Sequence, residues 1–173
     1  MPKNNELLLL FFQEVLPFTS KLKKELAEYL KLKIRIKVML KLPPAKRRGQ
    51  QKLASDFLPI LLTLSQSAGC QLGLGIIADD LYVPALNFVF GLASPRIKMA
   101  IVSYCRFLST NEEVTFKRLL TECVHELGHL FNLLYCQNPH CVMFFSNTLN
   151  DTDRKGYLFC QNCFQKFTHY QFL

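Results

Sequence analysis

A chain of 173 residues, half of them apolar and 20% charged, is long enough to bury one full hydrophobic core and too short for two ordinary domains with a linker. Its formal charge of +8, from 21 Lys and Arg against 13 Asp and Glu, lies largely between Lys21 and Lys52, where lysines alternate with Leu and Ile. That alternation suits the solvated faces of a helix and a strand, not the aromatic-interleaved basic stripe of a nucleic-acid binder, and no stretch approaches the roughly 20 apolar residues of a membrane span.

Residues 6 to 16 form an apolar run between breakers, predicting a buried strand that Pro17 ends. LLLLFF within it is short, is interrupted by Gln13 and Glu14, and has no small-residue cleavage site after it, so it is not read as a secretory signal. From Phe18 to Leu30, Leu22, Leu26 and Leu30 recur every four residues, the pattern of an amphipathic helix. Lys33 to Leu42 alternates as a half-buried strand until Pro43 and Pro44 stop it, and KRRGQQ makes a basic loop. A second helix is predicted from about Gln50 to Ser67, with Pro59 a candidate kink. Three strand candidates follow: the segment from Cys70 closing on Asp79 and Asp80, Leu86 to Ala93, and Lys98 to Phe107. Strand, helix, strand, helix and three further strands predict an α/β (α+β) fold, a mixed sheet covered by helices.

A third helix is predicted from Thr110, with Thr110 and Glu113 matching a capping box. Phe116, Leu119, Leu120, Cys123, Leu127, Phe131 and Leu134 form its core stripe, while Arg118, Glu122, His125, His129 and Asn132 follow a separate polar face. His125 and His129 project from that face one turn apart and can hold one metal ion at two corners of a tetrahedral site. Glu126 beside them is placed to take a proton from a water at the open corner, which is the chemistry of metal-assisted hydrolysis. On a polar helix face the pair also has a plain solvated reading. Gly128 costs up to about 1 kcal/mol relative to Ala inside a helix, which hints at close packing there.

Beyond this helix Cys136 and Cys141 are separated by four residues, and Cys160 and Cys163 by two. In the reducing cytoplasm, where this chain is expected to reside, two such pairs fit a closed four-cysteine zinc site better than disulfides. Cys70, Cys105 and Cys123 are isolated in apolar elements and read as small core residues.

The run from His125 through Cys136, Cys141, Met143, Cys160 and Cys163 resembles the archaemetzincins, zinc peptidases of the metzincin clan, whose motif is HExxHxxGxxHC, then C-x-M, then a distal CxxC. The RGQQ turn at 48 to 51, DDLYVPALNFVFGLAS at 79 to 94 and IVSYCRF at 101 to 107 are also similar to that family. The resemblance implies one metzincin-like domain over residues 1–173. Its N-terminal subdomain, 1–134, ends in the active-site helix, and a small zinc-bound C-terminal subdomain spans 135–173. It implies two zinc ions, one catalytic on His125 and His129 with Glu126 as general base, and one structural on Cys136, Cys141, Cys160 and Cys163. Met143 matches the methionine of a turn beneath the catalytic metal, and Leu86 to Ala93 matches an edge strand that can hold an extended peptide. The absence of a leader agrees with a family that carries no prodomain.

Two positions depart from the motif. Asn132 replaces Gly where the helix must end at positive φ, a mild change because Asn tolerates that region. Tyr135 replaces the third histidine. A phenol can ligate zinc, but binding must displace a proton with a pKa near 10. Ligation and non-ligation by Tyr135 both stay open, and His140, between Pro139 and Cys141, is poorly placed to substitute. The expected function is a zinc-dependent peptidase acting on peptide or protein substrates as a monomer. The alternative is a catalytically weak or inactive zinc protein of the same fold that binds peptides.

Overall fold

The computed structural model describes residues 5–171. A five-stranded sheet runs in the order β2 (Lys33–Met39), β1 (Glu6–Phe12), β5 (Leu72–Ile77), β8 (Met99–Ser103), β7 (Gly91–Ser94). The first four strands are parallel, and β7 closes one edge antiparallel to β8, with Gly91 opposite Val102. The strand order thus mixes both directions, as an α/β fold with this succession of elements requires. A small second sheet joins β3 (Arg47–Arg48), β4 (Gln51–Leu53) and β6 (Leu81–Tyr82).

The apolar run of β1 follows from its central place. Leu7, Leu9 and Phe11 enter a large core on one face, while Leu8, Leu10 and Phe12 enter a second core on the other. A parallel strand covered on both faces reads as continuous rather than alternating hydrophobicity. On the first face lie α1 (Thr19–Leu30), whose Leu22, Leu26 and Leu30 are fully buried, and α3 (Glu112–Leu130). On the second lies α2 (Leu58–Ser67), with Leu58 and Leu61 inward. Each such side chain removed from water contributes about 1.5–3 kcal/mol. Strand β2 keeps its lysines and an arginine outward on the open edge, a composition that discourages edge-to-edge pairing. After α3 come α4 (Leu149–Lys155) and α5 (Gln161–Gln171). Cys141, Val142, Met143, Phe159 and Phe167 from this last third join the same core as α1 and α3.

Several boundaries differ from expectation. The first strand ends at Phe12 because Gln13 turns at φ 76°. The segment expected as one helix from Gln50 divides into β4, a short 3-10 turn at Ala54–Phe57, and α2. Pro59 then lies in the first turn of α2, where no N–H is needed, and introduces no kink. Of residues 86–93 only 91–93 belong to a sheet strand, β7, which runs on to Ser94; a single bridge joins Val89 to Leu81, and the rest is an irregular wall. The cap of α3 is Asn111, whose side chain accepts from the Glu113 N–H, rather than Thr110. Leu134 is 83% exposed because α3 ends at Leu130, before the apolar spacing does.

Candidate metal centres and cleft

Helix α3 delivers its functional side chains against β7 rather than to solvent. His125 and Glu126 are buried, and a cleft of about 500 Å³ is bounded by Glu126, His129, Tyr135, Phe145 and the segment 86–93. Gly91 makes the close approach possible: a Cβ there would lie 2.6 Å from Glu126 Oε1. On the other side of the helix, a Cβ on Gly128 would lie 2.5 Å from Met143 Sδ, so the missing side chain lets the turn holding Met143 press against α3. The helix ends as its sequence requires, with Asn132 at φ 61°.

The two histidines are oriented by backbone carbonyls. His125 Nδ1–H donates to the Val142 carbonyl at 2.7 Å, and His129 Nδ1–H donates to the Leu133 carbonyl at 2.8 Å. With both Nδ1 atoms protonated, both Nε2 atoms carry lone pairs, and these face each other across 3.2 Å. A proton is a poor filler of that gap. Burial pushes the pKa of His125 well down, helped by the Lys155 ammonium, and burial also lowers that of His129. A metal ion fits instead: two nitrogens at ordinary zinc distances and a tetrahedral angle stand about 3.3 Å apart.

Tyr135 stands beside the pair. Its ring centroid lies 5.8 Å from His125, 5.0 Å from His129 and 5.1 Å from Phe145. The residue is 55% exposed. Burial of its inner part, with the charges of Glu126 and Glu122 nearby, raises the phenol pKa above its usual value near 10. His140 is exposed, and its N–H donates to the Asn138 side chain; it does not line the cleft.

Two residues here carried no assigned role in the sequence. Glu122 is buried on α3 one turn before Glu126, and Lys155 reaches in from α4. Carboxylate oxygens of Glu122 and Glu126 and a ring nitrogen of His125 all lie within 4.8 Å of one another. Burial raises the pKa of both carboxyls, and each other's proximity adds to the rise for Glu126. The helical spacing of Glu122 from His125 and Glu126 was a usable signal. Lys155, 30 residues beyond His125, gave none.

The four cysteines meet at a second point. Sulfurs of Cys136, Cys141, Cys160 and Cys163 all lie within 4.8 Å of one another, with 3.9 Å between Cys136 and Cys160. Ligands at about 2.3 Å around a tetrahedral zinc stand about 3.8 Å apart, so the set fits that ion. Backbone N–H groups already serve the sulfurs: Asn138 donates to Cys136 at 3.5 Å and Cys160 to Cys141 at 3.3 Å. Cys70, Cys105 and Cys123 lie elsewhere, and Cys123 is fully buried in the α3 core.

The cleft wall at 86–90 is held from outside. Arg48 Nη2 donates to the carbonyls of Leu86 at 2.8 Å and Asn87 at 2.6 Å, and the Gln51 amide reaches Asn87 and Asp80. Asp80 in turn receives both arms of Arg106, whose guanidinium covers the Phe88 ring at 3.9 Å. Arg106 sits in a 3-10 turn at Cys105–Phe107, because the strand expected to Phe107 ends at Ser103, and RGQQ, DDLYVP and this turn, distant in sequence, converge on one structure.

Two converging imidazoles and a buried carboxyl on one helix, beside an edge strand, make a set that can hold a metal ion with an acid–base group next to it. The sequence profile of peptidase family M54 matches residues 64–169. The chain is 42% identical to the archaemetzincin of Pyrococcus horikoshii over 122 residues, 67% of this chain and 65% of that protein. It therefore spans about two thirds of the length of the curated relatives it matches. The crystal structure of archaemetzincin from Methanopyrus kandleri aligns over 98% of this chain and 97% of that one, with a TM-score of 0.84 and 34% identity. That from Archaeoglobus fulgidus, complexed with malonate, aligns over 92% and 99%, with a TM-score of 0.79 and 27% identity. This chain belongs to peptidase family M54. Among the described residues, no helix is long and apolar enough to cross a membrane.

Proposed function

We propose that the protein is a zinc-dependent peptidase whose catalytic group is Glu126, with His125, His129 and Tyr135 as the groups that hold the catalytic metal. The observation that carries this reading is the pair of Nε2 lone pairs converging at 3.2 Å beside Glu126 in an open cleft. Zinc at that point would act as a Lewis acid toward a peptide carbonyl and bring the pKa of water to about 7. The chain's own part is proton movement and placement. The Glu126 carboxylate, set against β7 at Gly91, accepts a proton from the attacking water and returns it to the leaving amine. Strand β7 is at the sheet edge and lines the cleft, so its free side can pair with an extended peptide. Cys136, Cys141, Cys160 and Cys163 hold a second, structural zinc, which supports two ions per chain.

Substituting Glu126→Ala is expected to lower peptide cleavage by about 10²–10⁴-fold, with circular dichroism and zinc content unchanged. Cleavage at the wild-type rate would overturn the mechanism.

A second reading rests on Tyr135. A phenol whose pKa is raised by its surroundings gives up its proton to a metal less readily than a neutral imidazole offers its lone pair. The protein would then bind peptides along β7 with weak or absent hydrolysis. Zinc stoichiometry separates the two: two ions per chain favours the enzyme, and one ion released only on unfolding favours the binding protein.

A further inference from the structure

The metal chemistry leaves two buried charged groups unexplained. Lys155 and Glu122 are 3% and 5% exposed, and burying such a pair costs several kcal/mol per ion before its attraction is counted. They do not form a closed bridge. Lys155 Nζ is 3.7 Å from Glu122 Oε2, beyond hydrogen-bond length, and that oxygen finds no other partner among the described residues. The nearer contacts of Nζ are the Phe144 carbonyl at 3.0 Å and His125 Nδ1 at 3.2 Å. Since His125 Nδ1–H already donates to Val142, the last is a contact between donors, not a hydrogen bond.

The three contacts of Nζ define a geometry. Phe144 belongs to the turn that carries Val142 and Met143; Val142 fixes the His125 ring, and Met143 packs on Gly128. A carboxylate oxygen of Glu122, on α3, lies within 4.8 Å of one of Glu126 and of a ring nitrogen of His125. One amino group, brought in by α4, thus touches the turn beneath the helix, the carboxylate next to Glu126, and the back edge of a zinc-holding ring. A side chain needed only for packing there could be apolar at no desolvation cost.

We propose that Lys155 is a positioning residue for the cleft: acting through Glu122 and the Phe144 carbonyl, it sets the placement of His125 and Glu126. This rests on the peptidase reading: its affinity arm on the histidine pair holding a zinc ion, its kinetic arm on peptide cleavage. The test compares wild type, Lys155→Met, and the double variant Glu122→Gln with Lys155→Met, which removes both charges and so avoids stranding one. Zinc affinity is measured by chelator competition with zinc alone, and kcat and KM with a peptide substrate.

Lys155→Met is expected to weaken the looser of the two zinc sites by about 10–100-fold, as loss of groups behind a metal ligand does, with the tighter site unchanged. A fall in kcat of about tenfold or more, with KM within about twofold, is expected beside it. If Lys155→Met folds with wild-type affinity and kcat, the proposal is overturned. Should it fail to fold, the double variant decides: wild-type zinc affinity there overturns the proposal, and a weakened looser site supports it. Should wild type bind two zinc ions and cleave nothing, the peptidase reading fails while the affinity comparison still judges Lys155.

Discussion

The histidine cleft and the cysteine cluster are two sets of side chains that can hold a metal ion, built from neighbouring chain, and they differ in how each is completed. The four cysteines are equivalent sulfurs drawn from the loop after α3 and from the start of α5, and they face one another with no other side chain required. The cleft has two matched imidazoles, a tyrosine ring beside them, and a surrounding of buried titratable groups in Glu122, Glu126 and Lys155. A closed set binds for stability; an open one leaves room for a reacting molecule and must hold its remaining ligands by other contacts. The carbonyls of Val142 and Leu133 supply those contacts for the histidines.

Breaking the closed set should have the larger effect on stability. Cys160→Ser is expected to cost more than about 4 kcal/mol, lowering Tm by about 8–16 °C in a zinc-loaded thermal melt. A melt like wild type would remove the structural assignment. Changing the open set should act on affinity instead. Tyr135→His is expected to tighten the weaker zinc by at least about tenfold, equivalent to 1.4 kcal/mol, while Tyr135→Phe weakens it if the phenol ligates. Equal zinc affinity in Tyr135→Phe and wild type would show the tyrosine to be a wall of the cleft alone.

The smallest effect is expected at the cleft wall. Burial pushes the Asp80 pKa up, but hydrogen bonds from Arg106 and Gln51 outweigh it and leave the carboxyl below its usual value near 3.8. A depressed pKa stabilises the fold above that usual value, and the benefit is lost as pH falls through the folded one. Asp80→Asn is therefore expected to cost about 1 kcal/mol at pH 7, since Arg106 is 40% exposed and screened, with the gap to wild type closing below about pH 4 in urea titrations. A gap that stays constant with pH would place the cost in packing rather than charge.

Periodicity and spacing made much of this legible. The five strands of the main sheet with α1, α2 and α3, most of the core stripe of α3, the four-cysteine set and close packing at Gly128 follow from local pattern, and Asn132 at positive φ from the family motif. What sequence left hidden depends on contacts between distant segments. Nothing near Lys155 in the chain announces that its amine is buried against His125, because only the packing of α4 on α3 brings them together. The wall at 86–90 looks like a strand by composition. It is drawn out of the sheet by Arg48 and Gln51, which take its carbonyls. Helix α4 was overlooked although Thr148 and Asp151 form a capping box, a signal available from the sequence itself.

The carbonyl of Val142, which orients His125, has a consequence for the timing of synthesis. A ribosome releases α3 well before it releases Val142, and Lys155 and the second cysteine pair emerge later still. The nascent helix therefore carries His125 before its ring is fixed, whereas His129 needs only Leu133, four residues on. A chain still being made therefore has the side chains of the cleft before it has the cleft.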